Sequence, residues 1–255
     1  MIELPKTPSN RLDGKTAFVA GGSKGIGLAS ACALAELGAH IVIAARDELH
    51  VKQVVSAMQN EGFSAEAMIL DITNFDELEE AINGLEKIDI ALNSAGTARH
   101  SKAIETSIKD FNFVHDLNVK AAYFLAQSAA KKMIAQGTAG SIIQISSQMG
   151  HVGGIDRAVY CASKFAVEGM TKAMAIEFGS YNIRVNTICP TFIQTPLTKP
   201  TFNDPKKLSW IQENMLLPQL GKTEDVMGAV QYLASDLSAL VTGTALMIDA
   251  GWTAK

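Results

Sequence analysis

The 255 residues include only three cysteines, Cys32, Cys161 and Cys189, with no CxxC pair and no even set that could build a disulfide framework. This excludes a small cross-linked secreted scaffold and points to a reduced, intracellular protein. The five histidines show no HxxxH or HExxH spacing, so no local metal-ligand pattern exists and a metal-free protein is expected. No apolar run approaches the ~18 residues of a membrane span, so no membrane partner is expected. The N-terminal MIELPKTPSNRLDGK lacks the basic region, apolar stretch and cleavage site of a leader, which makes the cytoplasm the expected location. A net charge of -4 and a pI near 5.8 supply no broad basic field, so small molecules are expected as partners and nucleic acid is not.

The chain does have apolar side chains in quantity: 47% of residues are hydrophobic and 19% charged, enough to bury a substantial core. No Pro/Gly/Ser-rich linker interrupts the pattern, so a single domain over 1–255 is expected. Short β-branched runs alternate with longer Ala-rich stretches of helical period. The pattern predicts strands at 16–22, 40–46, 66–71, 88–96, 140–147, 183–190 and 244–251. Helices are predicted at about 25–37, 48–61, 74–86, 106–136, 158–179 and 223–235. Near-continuous apolar strands separated by helices predict an α/β fold with a doubly wound, Rossmann-like parallel sheet covered on both faces. The segment at about 195–221 breaks the alternation with Pro, Lys and polar residues and is predicted to be a substrate lid.

AGGSKGIGLA (20–29) lies between the first strand and first helix, where a doubly wound sheet binds a dinucleotide pyrophosphate. Its spacing is GxxxGxG, on Gly21, Gly25 and Gly27, one residue longer than GxGxxG; Ser23, Lys24 and Ile26 complete the turn. Glycines permit the tight reversal, and the helix N-terminus offers unpaired N–H groups to phosphate. An acid at the end of the second strand would grip the ribose 2′-OH of NAD, but that position reads as Ala45. Arg46 could fork onto a 2′-phosphate and Lys24 could approach it, which favours NADP over NAD; Asp47 turning inward is the alternative.

YCASK (160–164) places Tyr160 and Lys164 four residues apart, on one side of a helical turn. Alone, that pair is common on solvated helices. Together with the glycine turn, LNSAG (92–96), Asn118 within LNVKAAYFLAQ, ISSQMG (145–150) and RVNTICPTFIQT (184–195), it resembles the short-chain dehydrogenase/reductase family, from about Leu12 to Trp252. The resemblance implies a catalytic group of Asn118, Ser147, Tyr160 and Lys164. Tyr160 would exchange the hydroxyl proton, Ser147 would donate to the substrate oxygen, and Asn118 would hold a water that passes protons to Lys164. Bringing a phenol from ~10 towards ~7 asks for about 4 kcal/mol, which one ammonium at ~4 Å supplies at an effective dielectric of ~20.

By the same resemblance, Asp71 and Ile72 would contact adenine, and Asn93, Ala95 and Gly96 the adenosine ribose and pyrophosphate. Pro190, Ile193 and Thr195 would grip the nicotinamide carboxamide. The chain departs from the family pattern at Ala20, usually threonine, and at Thr191, usually glycine. A homotetramer is also implied, with Phe165, Met170 and Met174 as candidates for a subunit boundary. Gln148 and Arg157 are expected beside Ser147 and Tyr160 as substrate contacts, which suits a sugar acid, polyol or hydroxy acid. A β-ketoacyl carrier-protein reductase and a non-catalytic cofactor-sensing regulator are the alternatives.

Overall fold

Successive side chains leave opposite faces of a strand, so an apolar run must be covered twice. On β1 (Thr16–Ala20), Ala17 and Val19 enter one apolar cluster while Phe18 and Ala20 enter another. On β2 (His40–Ala45), Ile41 and Ile43 follow the first pair, and Val42 and Ala44 the second. A computed structural model describes residues 2–254; the expected domain of 1–255 extends one residue beyond that range at each end. The remaining strands are β3 (Ala65–Ile69), β4 (Ile90–Asn93), β5 (Gly140–Ile145), β6 (Ile183–Pro190) and β7 (Ala245–Ile248). All seven run parallel in the order β3-β2-β1-β4-β5-β6-β7. The order reverses between β1 and β4, which opens a crevice at the carboxyl ends of the strands.

The helices are α1 (Gly25–Glu36), α2 (Glu48–Asn60), α3 (Phe75–Gly84), α4 (Ile108–His115), α5 (Ala122–Gln136), α6 (Ala158–Phe178), α7 (Lys199–Phe202), α8 (Pro205–Asn214) and α9 (Glu224–Ala234). One sheet face packs against Leu34 of α1, Val51 and Val55 of α2 and Val230 and Leu233 of α9. The other packs against Leu78 and Ile82 of α3, Leu125 and Met133 of α5 and Met174 of α6. Met174 is therefore committed to its own subunit's core, whereas Phe165 is half exposed at 50%. No helix among the described residues is long and apolar enough to cross a membrane.

Two stretches depart from the predicted pattern. The helix expected over 106–136 is interrupted by a π-helical segment at Asp116–Ala121, which joins α4 to α5. Such an extra residue in one turn re-aims a side chain without ending the helix, and the residue concerned is Asn118. The segment at 195–221 holds two helices rather than an irregular loop. Asp204 caps α8 by accepting from the N–H groups of Lys206 (3.0 Å) and Lys207 (3.3 Å), with Pro205 in the first turn. Trp210 of α8 packs edge-on against Phe192 (6.0 Å) and Trp252 (5.0 Å), so the segment rests on a small aromatic core of its own.

Candidate active site

A cleft of about 920 Å³ runs along the carboxyl ends of the strands. Gly21, Ser23, Lys24, Gly25 and Ile26 line its floor, Arg46, Asp71 and Ile72 one end, and Ala95 and Gly96 the middle. Ser147, Tyr160, Lys164, Pro190, Ile193 and Thr195 line the other end. Most of the predicted positions thus meet in one groove. Gly27, Asn93, Asn118, Gln148 and Arg157 are not on its wall, and what each of them touches gives it a different place.

The groove fits an extended dinucleotide. Gly21 has φ of 71°, and a Cβ there would lie 2.8 Å from the Ala95 nitrogen, so the turn is bare where a pyrophosphate must come close. Lys24 makes no side-chain cap at the start of α1 and no acid occupies the first turn, leaving the helix N–H groups free for an anion. The Nε2 of His50 lies 2.9 Å from the Ser23 carbonyl oxygen and braces the turn from α2. At the far end, the Thr191 hydroxyl is buried without a hydrogen-bond partner, a polar atom that a carboxamide could satisfy. Asn93 faces into the protein: its Nδ2 donates to Gln144 Oε1 (2.9 Å) and its Oδ1 accepts from the Ala95 N–H (3.1 Å). It shapes the wall from behind rather than forming it. Gly27 likewise sits beneath the turn.

At the adenine end, Arg46 approaches Asp71 (3.5 Å) and Lys24 approaches Asp47 (3.6 Å). Asp47 caps α2, accepting from the His50 N–H at 3.1 Å, which keeps it from turning towards a ribose. Burial raises the Asp71 carboxyl, but hydrogen bonds from Thr73 and the charge of Arg46 outweigh it and hold the group below its ordinary range. Exposed ion pairs are worth only ~0–1 kcal/mol, so both cations are free to turn to a phosphate. Replacing Arg46 with alanine is expected to weaken NADPH binding ~10- to 100-fold and leave NADH unchanged, the scale of one or two charged hydrogen bonds. Fluorescence titration with both nucleotides checks this, and equal losses for the two would refute the assignment.

At the opposite end, α6 presents Tyr160 and Lys164 to the cleft. The Lys164 ammonium donates to the Ile145 carbonyl (2.9 Å) and lies 5.8 Å from the centre of the Tyr160 ring. Burial lowers its pKa to about 8, against the raising influence of Cys189 and Glu168. An ammonium ~4–6 Å from the phenolate charge contributes about 3–4 kcal/mol at an effective dielectric of ~20, roughly two to three pKa units. Burial raises the Tyr160 phenol above its ordinary value, and the Ser147 hydrogen bond and the Arg157 charge, which lower it, do not reverse that. In this form the phenol holds its proton, the state that suits donation to a ketone.

Ser147 follows β5 by two residues and caps the short helical turn Gln148–Gly150, where its hydroxyl donates to Gln148 Oε1 (2.9 Å) and accepts from the Met149 N–H (3.1 Å). Gln148 therefore aims the serine from a buried position. Asn118, 2% exposed, uses Oδ1 to accept from the Thr97 N–H (2.8 Å) and Nδ2 to donate to the Thr97 carbonyl (2.9 Å) and Ser163 Oγ (3.0 Å). Gly96 fills the approach between Asn118 and Lys164: a Cβ there would lie 3.5 Å from Asn118 Oδ1 and 3.9 Å from Lys164 Nζ.

Arg157 is half buried rather than solvated. Its guanidinium stacks over Phe192 at 5.0 Å and its Nη1 lies 2.9 Å from His100 Nε2. Desolvation, then the charges of Arg157 and Lys207, push the His100 pKa down to about 4, so the imidazole is neutral and accepts from Arg157. The His100 ring meets Tyr160 edge-on at 6.2 Å. His100, Phe192 and Thr97 are the site residues that the sequence did not signal. Thr97 and His100 lie outside the quoted motifs, Phe192 lies within RVNTICPTFIQT without a role attached to it, and each is brought to the site by the fold.

The comparisons with known proteins point the same way. A family model described as enoyl-(acyl carrier protein) reductase matches residues 20–253. The chain is 32% identical to D-erythrulose reductase of Gallus gallus over 96% of this chain and 98% of that one. It is 36% identical to 2-dehydro-3-deoxy-D-gluconate 5-dehydrogenase of Escherichia coli (strain K12), covering 96% and 97%. The crystal structure of a gluconate 5-dehydrogenase from Burkholderia cenocepacia J2315, in complex with NADP and tartrate, superposes with a TM-score of 0.93 at 32% identity, covering 96% and 98%. On the motifs, the fold and these likenesses, the chain belongs to the short-chain dehydrogenase/reductase family of NAD(P)-dependent oxidoreductases.

Proposed function

We propose that the protein is an NADP-preferring oxidoreductase that interconverts a secondary alcohol and a ketone on a small polyhydroxylated acid of the sugar-acid class. The observation that carries this reading is Arg157, a cation fixed by Phe192 and a neutral His100 at the mouth of the Tyr160 site. A carboxylate placed there would be held by a planar fork while its hydroxyl-bearing carbon faces Tyr160 and Ser147. The relatives named for gluconate and its derivatives, and the tartrate accompanying one of them, support the choice of an acid. When bound, the nicotinamide supplies or accepts the hydride. Tyr160 moves the proton, Ser147 positions the substrate oxygen, Lys164 holds charge beside the phenol, and Asn118 with Gly96 shapes the proton path behind it. The two-helix segment at 195–221 serves as the lid.

The protein works as a homotetramer in the cytoplasm. Three free cysteines and the exposed Phe111, Phe113 and Phe165 on α4 and α6 support this reading. The test is a panel of hydroxy acids, polyols, neutral ketones and an acyl carrier-protein thioester, assayed with NADPH and NADH. Arg157→Ala is expected to raise KM for acids ~10- to 100-fold and leave neutral ketones unchanged. Equal activity on both substrate types before and after the change, or a preference for the carrier-protein thioester, would overturn the sugar-acid reading.

A further inference from the structure

Outside the lining of the cleft, three metal-ligating side chains from three different elements converge. His151 follows the short helical turn after Ser147, Glu168 lies one turn beyond Lys164 on α6, and Cys189 is near the end of β6. Cys189 Sγ is 3.2 Å from Glu168 Oε1 and 3.5 Å from His151 Nε2, and that nitrogen is 3.6 Å from Glu168 Oε2. With ligand bonds of ~2.0–2.3 Å, a tetrahedral zinc site has ligand-to-ligand edges of about 3.3–3.6 Å. The triangle already has that size.

The surroundings carry the argument further. Glu168 is 5% exposed and Cys189 fully buried, so a carboxyl group sits in the interior beside the Thr187 hydroxyl (3.0 Å) and the Cys189 thiol (3.2 Å). The His151 side chain, 29% exposed, pairs with Glu168 as an ion only if protonated, and it leaves an entry from solvent. A second polar atom points the same way. The Ser146 hydroxyl is buried, has no hydrogen-bond partner of proper geometry, and lies close enough to Cys189 to act on its thiol. A dication bound by a carboxylate and a thiolate makes a neutral unit, which the interior can hold without a net charge.

We infer that His151, Glu168 and Cys189 form a binding site for one zinc-class divalent cation, with the fourth position open to the Ser146 hydroxyl or to water. The thiolate and imidazole select a borderline-soft ion over magnesium or calcium. On binding, the thiol proton passes to solvent and the sulfur–metal bond replaces it. The cation would tie together the segment after Ser147, the helix carrying Tyr160 and Lys164, and the strand leading to Pro190.

Cobalt(II) is the probe, added to the full-length, chelator-treated protein. The expected result is a saturable thiolate-to-cobalt charge-transfer band at one equivalent, displaced by zinc and unaffected by magnesium. Cys189→Ser should abolish the band, Cys32→Ser should keep it, and His151→Ala should weaken binding more than ~10-fold, since even outer partners of a metal act on that scale. Zinc should also raise the melting temperature of the wild type but not of Cys189→Ser. Absence of the band at saturating cobalt, or its persistence in folded Cys189→Ser, would overturn the inference in favour of a metal-free hydrogen-bonded network.

Discussion

Tyr160→Phe is expected to lower kcat for ketone reduction ~100- to 10,000-fold while leaving NADPH affinity near that of the wild type. In the proposed reaction the phenol donates the proton, and burial keeps it protonated before turnover. Phenylalanine preserves the ring that meets His100 and removes only the hydroxyl, so the loss reports on chemistry rather than packing. Steady-state rates and a separate nucleotide titration make the distinction; a kcat within tenfold of wild type would remove Tyr160 from the proton path. The wild type has a pH signature as well. Lys164 is charged below about 8 and loses its proton as pH rises through that value. Reduction should therefore fall on the alkaline side of about 8.

The second large effect lies in the glycine turn. A Cβ on Gly27 would stand 2.1 Å from the Gly21 carbonyl oxygen and 2.8 Å from its carbonyl carbon. Both are backbone atoms of the turn itself, so no side-chain movement relieves the contact. Gly27→Ala must displace the Gly21 segment from Ala95 or push α1 away from the sheet. Nucleotide affinity should drop more than ~100-fold, because the N–H groups that face the phosphates move with the turn. Overpacking of this kind costs about 1–3 kcal/mol, which in a chain of this size lowers the melting temperature by ~2–10 °C. Calorimetry and circular dichroism identify the folded fraction in which affinity is read. Wild-type affinity in that fraction would mean that the turn is not the phosphate cradle.

What the sequence revealed, and what it withheld, follows from how local each signal is. Near-continuous apolar runs such as TAFVA and HIVIAA require cover on both sheet faces within five or six residues, so the strands and their parallel packing were legible. Tyr160 and Lys164 were legible for the same reason, since helical spacing alone places them together. Arg157 was legible only as a charge. Its stacking on Phe192 and its bond to His100 depend on residues 35 and 57 positions away, which no spacing rule connects. The same holds for His151, Glu168 and Cys189, which no HxxxH or CxxC search could assemble. The helix α8 was missed although DPKKLSWIQ carries a cap and a first-turn proline, because the prolines and lysines around it read as a broken pattern. Tyr160's raised pKa also escaped the sequence, because desolvation depends on what covers the ring.

The π-helical segment at Asp116–Ala121 has a consequence for how this chain can vary in length. Deleting the extra residue there would restore ordinary helical winding and leave α4 and α5 in phase, because the wide turn absorbs a residue that would otherwise rotate one side by ~100°. The apolar stripe of Leu125, Ala129 and Met133 would keep its place on the sheet, and the change would fall on Asn118 and its bonds to Thr97. A one-residue gap in this helix is therefore a change to the site and not to the core.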